Sequence, residues 1–305
     1  MSDIRWGVHT SIEGRSMPTV LTQFAQTGMK CLQIFFGSAK SLERKRLTDE
    51  DSAICLKIVK DNNLALVTHF PYTFNMCDPK LNMGPLQAEI SRVEAIGGRV
   101  VLHTGSCTAA CCTNKVAKTA SVVVKQTWEA DWKKGADVLI SHLNKLKFSG
   151  AVEYPLLLEP PAGEGNKLGW QLDQLQYIFE RCPKQVGYCM DTCHTFAAGV
   201  CNFATMDNVL KFFDDVAVAL VDRKRFRLIH LNDSKDPFSS MKDHHEVLKK
   251  GHIWSDPNHE EGLIGLFLMA REFGIDIVSE VGSDEDIKVM VNILKQIKDA
   301  EEGAE

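Results

Sequence analysis

A chain of 305 residues, 44% of them hydrophobic, can form two ordinary domains or one large α/β barrel, which needs about 250 residues. No apolar run approaches the ~20 residues that span a bilayer, and Met1 to Gly7 has no signal-peptide pattern, so an intracellular, cytoplasmic protein without membrane contact is expected. The formal charge of −5 argues on its face against a nucleic-acid partner, but three bound divalent cations would more than cancel it.

Strand and helix signals alternate along the whole chain. Apolar strands are predicted over 4–9, 30–36, 64–69, 99–103, 155–159, 186–191, 226–231 and 275–280. Helical spacing fills the intervals at 16–27, 48–62, 86–96, 122–146, 171–181, 205–221, 260–273 and 284–298, with Gly97-Gly98 as a C-cap. A polar loop is expected from Asn232 to Ile253, and 300–305 reads as a solvated, frayed tail. Eight strands alternating with eight helices predict a single (β/α)8 TIM barrel over residues 1–299. A doubly wound sheet is the fold alternative, but Gly7 and Gly14 do not form its glycine-rich phosphate loop.

The strand ends carry the chemistry. The first strand ends at His9, the third at His69, the fourth at His103 and the fifth at Glu159. The sixth ends at Asp191 with His194 three residues on, the seventh at His230 and the eighth at Glu280. Only the second, ending near Phe36-Gly37, lacks an ionisable group there. Active sites of parallel barrels sit at this C-terminal face. A lone histidine at a strand end is more often a hydrogen-bonded structural residue, and His9 alone is evenly balanced between that and a positioning role. So many buried imidazoles and carboxylates together carry a large desolvation penalty unless cations are present. The pattern therefore favours a polynuclear metal centre at the C-terminal face. In the seventh loop Asp243 and His245 stand at i and i+2, so they face one side while His244 points away. An imidazole and carboxylate donor set suits Zn²⁺, with Mn²⁺ or Fe²⁺ as substitutes, and metals ~3.5–4 Å apart suit phosphoester hydrolysis.

Ten cysteines in such a chain read as reduced thiols. Cys31, Cys55 and Cys189 lie in apolar elements and read as core, whereas Cys107, Cys111 and Cys112 share a polar loop and are expected to be exposed.

Several motifs resemble the endonuclease IV family of apurinic/apyrimidinic endonucleases: Gly7-Val-His-Thr-Ser11, His69-Phe-Pro-Tyr72, His103-Thr-Gly-Ser106, Leu158 to Gly165, Met190 to Gly199 and His230 to Lys235. The resemblance runs from Gly7 to about Lys298, and Asp-Thr-Cys-His-x-Phe-Ala-Ala-Gly with a downstream His-Leu-Asn-Asp is its most specific part. It implies a zinc-dependent barrel that cleaves double-stranded DNA 5′ to abasic sites and trims blocked 3′ ends in base-excision repair; apart from the resemblance, a monomer is expected. Three Zn²⁺ ions are implied: one on His69, His103 and Glu159, a second on Glu159, Asp191, His230 and Glu280, and a third on His194, Asp243 and His245. In the implied mechanism a hydroxide attacks phosphorus in line, Glu159 bridges two ions, and Glu280 orients or deprotonates the nucleophile. Tyr72 matches a position that enters the minor groove, its plain alternative being a core or rim aromatic. DNA contacts are also assigned to His9 and to Lys40, with Arg44, Lys45 and Arg46 as further phosphate partners.

The chain departs from the family pattern at several places. Pro160-Pro161 replaces the usual Asn-Thr and removes backbone donors. His244 stands for the usual arginine, and Ala39-Lys40 for a Gln-Arg pair that wedges into DNA. The 104–121 loop is also enlarged. Such divergence suits a viral or otherwise distant member. The competing activity is a sugar isomerase or epimerase of the xylose-isomerase-like barrels, using Glu159, Asp191 and Glu280 with one Mn²⁺; a barrel that binds DNA without cutting it is a third.

Overall fold

Runs such as Ala65–His69 and Leu156–Glu159 are buried along their whole length, as parallel strands covered on both faces must be. The structure, a computed structural model, describes residues 4–12, 14–43, 47–107 and 122–303, the stretch 122–131 by its backbone alone. In chain order the first half gives β1 (Trp6–His9), α1 (Met17–Ala25), β2 (Cys31–Ile34), α2 (Asp49–Asp61), β3 (Ala65–His69), α3 (Gly84–Ala95), β4 (Arg99–His103) and α4 (Val122–Leu143). The second half gives β5 (Leu156–Glu159), α5 (Leu172–Phe179), β6 (Val186–Asp191), α6 (Thr192–Ala197), α7 (Met206–Ala219), β7 (Phe226–His230), β8 (Asp233–Ser234), β9 (His245–Glu246), α8 (Glu260–Phe273), β10 (Asp276–Ser279) and α9 (Asp284–Glu302).

Eight of these strands close into a barrel in the order β1-β10-β7-β6-β5-β4-β3-β2, and every pair is parallel. With helices around it, this is a (β/α)8 barrel. Helix starts are written locally. Ser16, Thr48, Thr205 and Ser283 each accept a hydrogen bond from the helix's own first-turn N–H, and Ser283 with Asp286 closes a full capping box. α8 ends on Gly274 at φ +66°, a left-handed conformation that reverses the chain into β10.

The period of two along each strand sorts side chains into an outer and an inner set. Outward residues such as Leu32, Ile34, Leu66 and Leu158 pack with the helices in one large cluster. Inward residues form a second cluster, with Cys31, Ala65, Val67, Val101, Leu157, Cys189, Leu228 and Val278 filling the barrel. Below them Asp276 receives Arg5 Nε at 2.7 Å and Arg99 Nη1 at 3.1 Å, an ion cluster at the N-terminal ends of the strands. Two residues above the filled layer, on the same inward phase, lie Gln33, His69, His103, Glu159, Asp191, His230 and Glu280.

Four sequence expectations need correcting. Nine α-helices, not eight, occur among the described residues, because α6 begins directly at the end of β6. The expected loop over 232–253 contains the antiparallel β8–β9 pair. The last helix runs on to Glu302, because its i→i−4 ladder continues through the charged residues expected to fray. Cys107 is buried rather than exposed, packed against Gly135 of α4. No disulfide joins the described cysteines, all of which are buried. Cys111 and Cys112 lie outside the described residues.

Candidate metal centre

The barrel brings His69, His103 and Glu159 together, and beside them Glu159, Asp191, His230 and Glu280; in each group the ligand-type atoms lie within 4.8 Å of one another. The sixth and seventh loops complete the arrangement. Asp191 is the N-cap of α6, its Oδ1 accepting the His194 N–H at 2.8 Å, so the short helix delivers the His194 ring to the axis. β9 presents His245, with Asp243 just before it, and His194 Nε2 lies 3.1 Å and His245 Nε2 3.2 Å from Asp243 Oδ1. His244 turns away to Asp236 at 2.7 Å and is exposed.

The grouping differs in one respect from the sequence expectation. Asp191, His194 and His245 also form a close set, with Asp191 Oδ2 3.4 Å from His245 Nε2, so Asp191 faces two groupings rather than one. Cys193 approaches Asp243 and His245 as well, but burial pushes its thiol pKa up and its Sγ is bonded to the His244 carbonyl.

Asp233 shapes the loop that carries Asp243 and His245. Its buried carboxylate accepts N–H bonds from Ser234 and Ile253 on Oδ1 and from Lys249 and Trp254 on Oδ2. Gly251 packs so tightly here that an added Cβ would lie 2.3 Å from the Ser234 carbonyl oxygen and 2.5 Å from Asp233 Oδ1. Sequence reasoning gave Asp233 no role, although its place directly after His-Leu-Asn was the available signal. It also passed over Gln33, whose strand end was the one without an ionisable group.

Imidazole orientation is set from outside the cluster. His69 Nδ1 donates to the Phe70 carbonyl at 2.8 Å and His194 Nδ1 to the Pro160 carbonyl at 3.0 Å. A carbonyl only accepts, so each Nδ1 carries the hydrogen and Nε2 is the nitrogen turned inward, that of His69 standing 3.0 Å from Glu159 Oε2. The Pro160-Pro161 departure thus supplies a carbonyl to the site rather than a side chain. His230 Nε2 is likewise engaged by Gln33 Oε1 at 2.7 Å, leaving Nδ1 at 3.0 Å from Glu159 Oε1.

Three buried nitrogens show what the cluster suits. His103 Nδ1, His194 Nε2 and His245 Nε2 have no partner in hydrogen-bond geometry, although carboxylate oxygens lie 3.1–3.7 Å away. Buried polar atoms are nearly always satisfied. Tetrahedral ligands with bonds of about 2.0–2.2 Å stand roughly 3.3–3.5 Å apart, so these spacings fit donors that share a cation.

The anionic groups act strongly on the rings: against burial, Asp191 and Asp243 hold the His194 pKa well above the usual imidazole range, and Cys189, Glu280 and Glu159 do the same for His230. Burial alone would raise the Glu159 pKa, but His103, His230 and His69 hold it well below the carboxylate range. Glu280, also buried, is brought down to about 2, chiefly by His230. His245 rises to about 9 because Asp191, Asp243 and Glu280 outweigh its burial. Burial holds His103 at about 4, which favours a neutral, ligand-competent ring.

The sequence-assigned DNA contacts lie around the rim. Tyr72 is 54% exposed and its ring stands 5.0 Å from that of His69, 5.4 Å from His103 and 5.6 Å from Phe35. Its N–H donates to Ala39, which ties the second loop, with exposed Lys40, to the third. His9 sits beside Phe35 at 5.1 Å, its pKa lowered by burial to about 4, and joins none of the ligand groupings. Arg44, Lys45 and Arg46 lie outside the described residues. A cavity of about 340 Å³ opens between Tyr72, His103, Lys167 and Asp243.

A family model described as xylose isomerase-like TIM barrel matches residues 21–259. A protein of Akkermansia muciniphila called probable endonuclease 4 is 30% identical over 234 residues, covering 74% of this chain and 76% of that one. Another of the same name, from Staphylococcus carnosus, is 30% identical over 261 residues, covering 82% and 80%. Among solved structures, endonuclease IV from Thermus thermophilus superposes with a TM-score of 0.74 at 23% identity, over 97% of this chain and 99% of that one, a likeness of fold.

Proposed function

We propose, for a chain that belongs to the endonuclease 4 family of xylose isomerase-like TIM barrels, that its histidine–carboxylate cluster is a zinc centre hydrolysing the DNA backbone 5′ to abasic sites. The chain is a DNA phosphodiester hydrolase of the repair type, as its family is. The observation that carries the zinc reading is the set of buried imidazole nitrogens of His103, His194 and His245, left without hydrogen-bond partners beside carboxylates.

In this reading His69, His103 and Glu159 hold one ion, and Glu159, Asp191, His230 and Glu280 a second. His194, Asp243 and His245 hold a third. Zn²⁺ suits the donors, with Mn²⁺ or Fe²⁺ as substitutes. Divalent ions held by these residues would lower the pKa of water and neutralise charge on the phosphate and the leaving 3′ oxygen.

The chain's own groups supply the geometry. Glu280 is an ionised carboxylate anchored on both oxygens, by Gln33 and by Asn232. It accepts a hydrogen bond from the attacking water and aims it at phosphorus. Glu159, between His69 and His230, spaces the first two ion positions. The abasic sugar must leave the duplex to reach this depth. The cavity beside Tyr72 and His103 receives it, and the exposed Tyr72 ring offers a face for the neighbouring base. Lys40 meets backbone phosphate from the exposed second loop, and His9 closes the inner rim. A blocked 3′ end presents the same phosphodiester, so 3′ trimming uses the same groups. The partner is double-stranded DNA and the working form a monomer. No helix among the described residues is long and apolar enough to cross a membrane.

The test is an incision assay on a duplex with one abasic site, with zinc quantified in the same preparation. Cleavage leaving a 3′-hydroxyl, in proportion to bound zinc, is expected; a zinc-loaded chain inert on this substrate refutes the reading.

A further inference from the structure

β2 is the barrel strand whose end carries no ionisable group, yet Gln33 on it is wholly buried at the middle of the cluster. Cys31, two residues earlier, belongs to the layer that fills the barrel, so the alternation turns Gln33 to the axis too. Its amide makes two contacts with groups far away in the chain. Nε2 donates to Glu280 Oε1 at 2.7 Å, and Oε1 accepts from His230 Nε2 at 2.7 Å.

This amide cannot be turned over. An ionised carboxylate only accepts, so the NH₂ must face Glu280 and the carbonyl oxygen must face His230. His230 Nε2 therefore carries a hydrogen, and Nδ1 is the nitrogen left to face Glu159. For His69 and His194 main-chain carbonyls do the equivalent task. For His230 it falls to a side chain, and that same side chain also holds Glu280.

We propose that Gln33 is a positioning residue of the metal centre: one amide fixes the His230 tautomer that offers Nδ1 to a cation and anchors Glu280 beside it. Two of the four groups at the second ion position are thereby set before any ion arrives. The assignment rests on the metal-centre reading given above. Asn232 works from the other side, donating to Asp191 Oδ2 at 2.7 Å and to Glu280 Oε2 at 3.1 Å. Without Gln33 the His230 ring can flip and Glu280 keeps only its Asn232 tether. Removing such an outer partner typically costs 10–100-fold in metal affinity.

The test compares the full chain with Gln33→Met and Gln33→Glu. Each is stripped of metal and titrated with Co²⁺, read by its d–d absorption, then loaded with Zn²⁺ and analysed for metal content. Methionine keeps the length and loses both bonds; glutamate keeps the acceptor for His230 but sets an oxygen against Glu280. One cobalt position is expected to weaken about 10- to 100-fold in Gln33→Met, and at least as much in Gln33→Glu. The other positions keep their affinity, and the metal-free variants unfold near the parent's temperature. Long-range ¹H–¹⁵N spectra of the zinc-loaded parent are expected to show His230 protonated on Nε2. Should Gln33→Met fail to fold, Gln33→Glu carries the same comparison. Unchanged cobalt titrations overturn the assignment, as does a His230 protonated on Nδ1. Equal weakening of every position together with lost metal-free stability marks Gln33 as merely structural and also overturns it. A parent chain that binds neither metal removes the metal-centre reading itself, and Gln33's role with it; a parent that loads normally alongside an equally loaded Gln33→Met overturns Gln33 alone.

Discussion

Asp191 Oδ1 accepts the backbone N–H of His194 at 2.8 Å, while Asp191 Oδ2 faces Asn232 at 2.7 Å and His245 Nε2 at 3.4 Å. One carboxylate thus starts a helix with one oxygen and serves the cluster with the other. The three-residue spacing of Asp191 and His194 is the N-cap-to-N3 spacing of that helix. The two roles separate by mutation. Asn caps about as well as Asp, so Asp191→Asn is expected to keep its thermal midpoint close to the parent's while losing bound zinc and incision. Asp191→Ala is expected to lose, in addition, about 0.5–2 kcal/mol of stability. Parallel unfolding curves and metal analyses check this, and full zinc content in Asp191→Asn would falsify it.

Glu280→Gln keeps the side chain's shape and removes its charge. Incision is expected to fall by about 10²-fold or more while affinity for an abasic duplex stays within a few-fold. Single-turnover cleavage and a binding titration on the same preparation read the two quantities. Incision at a near-normal rate would remove the role given to Glu280.

Chelation is expected to abolish incision and added Zn²⁺ to restore it, with about three ions per chain in the active form. The count discriminates between chemistries. A sugar isomerase on Glu159, Asp191 and Glu280 needs one ion and makes no use of His194, Asp243 and His245. Elemental analysis returning one ion, with activity intact, would favour the isomerase class.

Asp233 never faces the cluster, but four backbone N–H groups converge on it. Asp233→Ala leaves buried donors unpaired at ~1–3 kcal/mol each, so a loss of at least ~3 kcal/mol is expected. The segment bearing Asp243 and His245 should loosen at the same time and zinc content drop. Denaturant unfolding with metal analysis measures both; a stable, fully loaded Asp233→Ala contradicts the account.

Tyr72 touches His69 and His103 only through ring faces and edges. Tyr72→Ala is expected to raise KM for abasic duplex several-fold and leave zinc content unchanged, because base–aromatic stacking contributes about 1–3 kcal/mol. Tyr72→Phe should behave like the parent. Steady-state kinetics on the three proteins test this, and an unaltered KM in Tyr72→Ala places the DNA contact elsewhere.

What the sequence determined by itself was the frame. Strand ends read along eight apolar runs place His69, His103, Glu159, Asp191, His230 and Glu280 at one end of a barrel, because parallel strands in a closed sheet all finish at the same face. Helix starts at Ser16, Thr48 and Ser283 were equally local, since a cap needs only residues three apart. Tertiary structure decided the rest. The Gln33 amide meets a ring 197 residues away, and no local pattern distinguishes that glutamine from any other polar residue in a strand. Pro160 reads in sequence as a lost donor; only the folded chain shows its carbonyl reaching His194. The burial of Cys107 depends on Gly135 of α4, and Asp233 on a loop that doubles back over twenty residues to meet it. Hydrogen-bond direction and side-chain burial depend on which distant strands and loops become neighbours, and that is fixed when the barrel closes.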